Sequence, residues 1–209
     1  MNRSILQVSC LMALGWLVPS VVTAEPLEFD FKDPKGVNSI AFVLDSVLEP
    51  IMGVAQGIAG KVTFDPANPK ALAGTITMEA ASIKCAHKGM TDVLHGEEWL
   101  DVKKHPAITF AFKEVKGASS PESNVAQLEV VGDLTIKGVT KPITVAVTAT
   151  YLKDQLGNRL RGKKGDLLVL RSKFSVARKD FNIKPEMGNE VVAEEIELRV
   201  SIVGWHEAK

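Results

Sequence analysis

Apolar and polar residues alternate with period two through most of the chain. Leu128, Val130, Leu134 and Ile136 share one parity, while Glu129, Asp133, Thr135 and Lys137 take the other. Ile143, Val145, Val147, Ala149 and Tyr151 repeat the pattern against Thr144, Thr148 and Thr150. Ile196, Leu198, Val200 and Ile202 do so against Glu195, Glu197, Arg199 and Ser201, and Ile108, Phe110 and Phe112 against Thr109, Ala111 and Lys113. A strand with one buried face produces this pattern, and the β-branched content suits it. Strands are predicted over 27–31, 38–45, 56–64, 73–80, 107–117, 125–137, 142–153, 166–177 and 194–205. The first two are one bent strand or two short ones, broken at Asp33-Pro34-Lys35-Gly36. Lys137 to Pro142 joins two long strands as a hairpin, and Asp65 to Pro69, Pro121 to Asn124 and Gly157-Asn158 are loops.

One segment breaks the alternation. In His87 to Val102, Met90, Val93 and Leu94 fall at i, i+3 and i+4, and Thr91 is placed to cap a short helix. A short helix near residues 88–96 is predicted, then a loop carrying Trp99 and Leu100 across the end of the sheet. About eight antiparallel strands in one domain call for a closed barrel or a sandwich, since open edges invite association.

The N-terminus changes where such a domain would work. Arg3 precedes an uncharged apolar stretch from Ile5 to Val18, and Val22-Thr23-Ala24 supplies small residues before Glu25-Pro26. This reads as a secretory signal, residues 1–24, cleaved after Ala24 and followed by one domain over 25–209. Cleavage leaves 185 of 209 residues, removes one base and no acid from 25 of each, and leaves a net charge near −1. That balance gives no electrostatic attraction to nucleic acid. Cys85 is then the single cysteine, so no disulfide framework supports the fold.

Catalytic and metal chemistry find little footing. Ser82, Ser172 and Ser175 lack a glycine-rich elbow, and no phosphate-binding loop is present. Cys85, His87 and His95 lack an evident fourth ligand, so neither a metal nor a cofactor is expected. An eight-stranded barrel can hold one small ligand. An apolar interior row on every strand, with no catalytic constellation, points to carriage of an apolar molecule.

Three stretches stand out together: Gly132-Asp133-Leu134-Thr135-Ile136-Lys137-Gly138-Val139-Thr140-Lys141-Pro142, Trp99-Leu100-Asp101-Val102 with His105-Pro106-Ala107-Ile108-Thr109-Phe110, and Arg178-Lys179-Asp180-Phe181-Asn182-Ile183. In these, and in their order, the chain resembles the YceI-like polyisoprenoid-binding family over about Leu27 to Trp205. The resemblance implies an all-β fold, a lipocalin-like antiparallel β-barrel in the periplasm. The implied partner is a polyisoprenoid, isoprenoid quinone or other long-chain lipid in the lumen, and a homodimer stays open. Several positions depart from the family pattern: Val37-Asn38, Ser46, the helix stretch Met90-Thr91-Asp92-Val93-Leu94, and Ala55 and Ile58. These changes are expected to remove polar groups and bulk near the mouth.

The candidate ligand-binding residues are Phe110, Phe112, Leu134, Ile136, Val145, Val147, Leu170, Phe174, Arg178, Leu198 and Val200, each of which plain core packing would also explain. Arg178 continues the parity of Leu168, Leu170, Phe174 and Val176, so it is expected to face the interior. There it meets an anionic head group or, the alternative favoured by how buried arginines are usually satisfied, an internal carboxylate such as Asp180 or Glu186. Two other classes remain: an enzyme or accessory factor acting on a lipid or quinone, and an outer-membrane β-barrel, against which the charged strand faces speak.

Overall fold

The computed structural model describes residues 25–48 and 50–208; the expected signal segment 1–24 lies outside them. The chain forms β1 (Leu27–Asp30), β2 (Ser39–Leu44), β3 (Ile51–Ala55), β4 (Ile58–Phe64), β5 (Ala73–Glu79), β6 (Lys84–Cys85), α1 (Lys88–His95), β7 (Ala107–Glu122), β8 (Val125–Ile136), β9 (Val139–Leu152), α2 (Leu156–Arg159), β10 (Gly165–Ala177) and β11 (Glu195–Glu207). Every pairing is antiparallel. The order is β1-β4-β5-β7-β8-β9-β10-β11, and a β1–β11 pairing closes the ring.

β1 and β2 are two halves of one bent strand, both paired with β11, and β3 and β4 are likewise two halves of the next strand, so the closed barrel has eight staves. Alternation alone did not reveal β3, because Ile51-Met52-Gly53-Val54-Ala55 carries no polar partner row. β7 runs on to Glu122 through three register shifts, where bulges erase the period-two signal.

Polar side chains fasten the first bend. The Asp33 carboxylate accepts from the backbone N–H groups of Lys35 at 3.0 Å, Val37 at 2.6 Å and Asn38, and from the Arg159 guanidinium at 3.0 Å. Asn38 is buried; its amide donates to the Phe31 and Val203 carbonyls, and its oxygen accepts from Val203 N and Arg159. Asn38 therefore lies in the bend between β1 and β2, tied to β11 and α2, and not at the mouth as its place in the family pattern suggested.

Burial alone would raise the Asp33 carboxyl, but the Asn38 and Lys35 amides, Arg159 and the Val37 amide outweigh it and hold it below the usual carboxylate range. A depressed folded-state value contributes stability above the unfolded-state value and loses it as pH falls through the folded one. Asp33→Asn is therefore expected to be less stable than the parent at pH 7. The gap should close in melts stepped down through pH 4 to pH 2; a gap that is the same at pH 7 and pH 2 would refute the linkage.

Two regions fill the barrel differently. At the end bearing α2, Phe29, Phe31, Val62, Phe64, Val130 and Leu168 are each no more than 2% exposed and form a packed plug. At the other end, α1 and the 178–194 loop cap the barrel. Within α1, Leu94 is buried and Met90 packs against the core, while Val93 faces solvent. His87, not Thr91, is the N-cap of α1. The Thr91 hydroxyl instead accepts from Cys85 N at 3.0 Å, pinning α1 to β6.

Candidate functional site: an apolar lumen

Between the plug and the cap lies a cavity. Its volume is about 180 Å³. Phe110, Phe112, Leu134, Ile136, Val145, Val147, Leu170, Phe174, Leu198 and Val200 all line it. Alternation along β7 to β11 places them there, because each inward parity closes onto the same space. Their exposure differs in a telling way: Leu134, Ile136, Val145, Val147 and Leu170 are buried, whereas Phe110, Phe112, Phe174, Leu198 and Val200 are half-buried. All ten border the empty volume, and the first group is the more tightly covered by neighbours.

The structure adds wall residues that alternation did not single out. Ile40, Phe42 and Leu44 come from β2, Ile76 and Met78 from β5, and Leu94, Trp99, Leu100 and Ile183 from the cap. The cap residues lie outside any strand, so no period-two signal marked them. Two glycines shape the wall. A Cβ on Gly132 would strike the Phe110 ring, and a Cβ on Gly53 would strike the Phe42 ring. Each aromatic ring thus takes the space that a side chain on the neighbouring strand would need. Phe110 and Phe112 then meet edge to face, with centroids 5.1 Å apart.

Arg178 is not part of this wall. β10 ends at Ala177, and Arg178–Phe181 form a 3-10 turn, so the strand parity that would aim Arg178 inward stops one residue early. Its guanidinium is fully buried and serves five backbone carbonyls. Nε donates to Ala193 at 3.0 Å, one terminal nitrogen to Ile183 at 3.1 Å and to Lys184, and the other to Met187 and to Val192 at 3.2 Å. All five donors of the fork are used. The expected contacts to a ligand head group, to Asp180 or to Glu186 are replaced by a hub that organises the 178–194 loop. Lys179 pairs with Glu194 at 2.7 Å beside it.

The polar side chains at the wall are also engaged or turned away. Ser172 Oγ donates to the Ala146 carbonyl at 2.6 Å. Arg171 is exposed and donates to the Leu170 and Ile202 carbonyls, each at 3.2 Å. The outer wall carries ion pairs: Lys61 with Glu28, Lys113 with Asp133 and Lys173 with Glu197. Such a surface suits water and not the apolar outer band of a membrane barrel. Among the described residues, no cluster of three or more His, Cys, Asp or Glu is arranged to hold a metal ion.

Comparison with known proteins agrees with this architecture. Residues 33–204 match the YceI-like domain. A UPF0312 protein of Ectopseudomonas mendocina is 31% identical over 157 residues, 74% of either chain. Protein YceI of Escherichia coli O157:H7 is 29% identical over 155 residues, 74% of this chain and 73% of its own. Among solved structures, BcnA of Burkholderia cenocepacia superposes with a TM-score of 0.62 at 25% identity, over 79% of this chain and 95% of its own. A polyisoprenoid-binding domain from Saccharophagus degradans, implicated in plant cell wall breakdown, shares the fold at a TM-score of 0.60 and 8% identity, over 87% of this chain and 99% of its own.

Proposed function

The chain belongs to the YceI-like family, and we propose on that premise that it is a secreted, periplasmic binding protein. It carries a polyisoprenoid, an isoprenoid quinone or another long-chain lipid in its lumen and catalyses no reaction on it. The observation that carries this reading is the lumen itself, a sizeable cavity with an almost wholly hydrocarbon wall inside a barrel whose other end is packed solid. The polyisoprenoid-binding domain named above supports the choice of cargo by its shared fold. The apolar segment ending at Ala24 supports export.

Burial of hydrocarbon drives such binding. Each methylene removed from water contributes about 0.8 kcal/mol, from which ordering and association costs are subtracted. A repetitive isoprene tail gains affinity with length and needs few polar contacts. The wall offers no inward charge to a head group: Arg178 lies outside it, committed to five carbonyls, and Arg171, the charged residue among the lining, is exposed on the parity opposite Leu170 and bonded to the Leu170 and Ile202 carbonyls. An anionic head drawn inside would lose its water without a partner. The cargo's head is therefore neutral or stays at the mouth.

Native mass spectrometry of the protein purified from its own periplasm, followed by organic extraction, tests the reading. A bound long-chain lipid is expected, and polyprenol should bind in vitro at least as tightly as polyprenyl phosphate. Protein that is empty in every preparation and binds neither polyprenol nor quinone on titration would end the proposal.

A further inference from the structure

The barrel wall is not equally sealed around its circumference. β10 pairs with β11 along its whole length, up to Ala177 opposite Glu195, and β8 pairs with β9 up to Ile136 opposite Val139. The β9–β10 ladder stops far short, at Ser172 opposite Val147. Among the described residues, no ladder pair joins 139–146 of β9 to 173–177 of β10. Five residues of β10 therefore run beside β9 unladdered, about 17 Å of wall at roughly 3.3 Å per residue.

Cavity-lining residues stand on both banks of this seam. Val145 and Val147 lie on β9, and half-buried Phe174 and buried Val176 on β10. The seam has defined ends. At its base Ser172 Oγ clasps the Ala146 carbonyl at 2.6 Å. At its top Lys137 Nζ donates to the Asn182 and Glu98 carbonyls, at 3.0 and 3.1 Å, and ties the cap to the β8–β9 hairpin.

The cap, by contrast, is stapled across. Lys184 pairs with Glu98 at 2.5 Å, and its N–H donates to the Glu98 carbonyl at 3.3 Å. The Arg178 hub holds the 178–194 loop, and His95 Nε2 contacts the Ile83 carbonyl at 2.9 Å. The interruption above Ile58, where β4 leaves β5, is already filled: β3 pairs with β6 at Gly53–Cys85 and Val54–Lys84.

We propose that a long-chain cargo passes into and out of the lumen sideways, through the unladdered seam between 139–146 and 173–177, with Phe174 as the side chain that swings to admit it. This rests on the carrier reading above. Parting this seam breaks no ladder pair, whereas lifting the cap breaks the Lys137 bonds to Asn182 and Glu98 and the His95 contact with Ile83. A chain-like molecule also suits a slot along the barrel axis, since it can enter along its length.

Two cross-links separate the routes. Thr144 and Ser175 are exposed and lie opposite one another when the β9–β10 register is extended, so Thr144→Cys with Ser175→Cys, in a Cys85→Ser background, places two thiols across the seam. Glu98→Cys with Lys184→Cys does the same across the cap. Each protein is loaded with a neutral fluorescent long-chain alcohol and joined with a short bis-maleimide, and release into phosphatidylcholine vesicles is timed. The seam cross-link is expected to slow release at least tenfold without changing the amount bound, and the cap cross-link to leave the rate unchanged. Slowing by the cap cross-link alone, or unchanged release in both, would overturn the port. A protein that binds no alcohol before cross-linking would overturn the carrier reading and the port with it.

Discussion

Arg178→Ala is expected to cost at least about 3 kcal/mol of unfolding free energy, the largest loss for any single side chain considered. A hydrogen bond to a charged group contributes about 1.5–3 kcal/mol, and each buried group left unpaired costs about 1–3 kcal/mol before relaxation. Five carbonyls, those of Ile183, Lys184, Met187, Val192 and Ala193, lose their donor together. For a domain of this size each kcal/mol lowers the melting temperature by about 2–4 °C, so a fall of roughly 6–12 °C or more should appear in thermal melts. Arg178→Lys retains the charge but offers three donors from one point, so it should recover only part of the loss. Head-group preference should not change: the ratio of polyprenol to polyprenyl phosphate affinity is expected to stay as in the parent. A loss below about 1 kcal/mol would show that the loop does not depend on the hub.

Arg178 also shows where the sequence stops being legible. Alternation through Phe174 and Val176 is a true signal, and it placed ten apolar candidates on the lumen wall. It assigned Arg178 to the same row because nothing local marks Ala177 as the last strand residue. The five carbonyls that claim the side chain lie 5 to 15 residues downstream, in a loop with no periodic pattern. The clamp at the first bend was hidden for a related reason, since Asp33 and Arg159 meet across 126 residues and composition alone does not announce the pair. Strand content was readable because it is a property of neighbours along the chain. The seam between β9 and β10 was not, because both strands alternate normally past the point where their ladder ends.

Whether the lumen is a container or merely loose packing is decided by filling it. Val200, on β11 opposite Ser172 and Ile40, is half-buried and borders the empty volume. Val147, on β9 opposite Leu128, is only 7% exposed and largely covered. Val200→Trp should therefore find room, leaving the ligand-free melting temperature nearly unchanged, while occupying space that the cargo needs. If the indole displaces three or four methylenes of cargo, at about 0.8 kcal/mol each, affinity falls by about 2.5–3 kcal/mol, or roughly 100-fold. Val147→Trp should instead overpack the wall and destabilise the ligand-free protein by about 1–3 kcal/mol or more. Melts of both ligand-free variants, with polyprenol and isoprenoid-quinone titrations beside them, separate the outcomes. Equal destabilisation at the two positions would mean that the interior near Val200 is as full as that near Val147. A stable Val200→Trp that binds cargo undiminished would mean that the tail does not reach β11 at all.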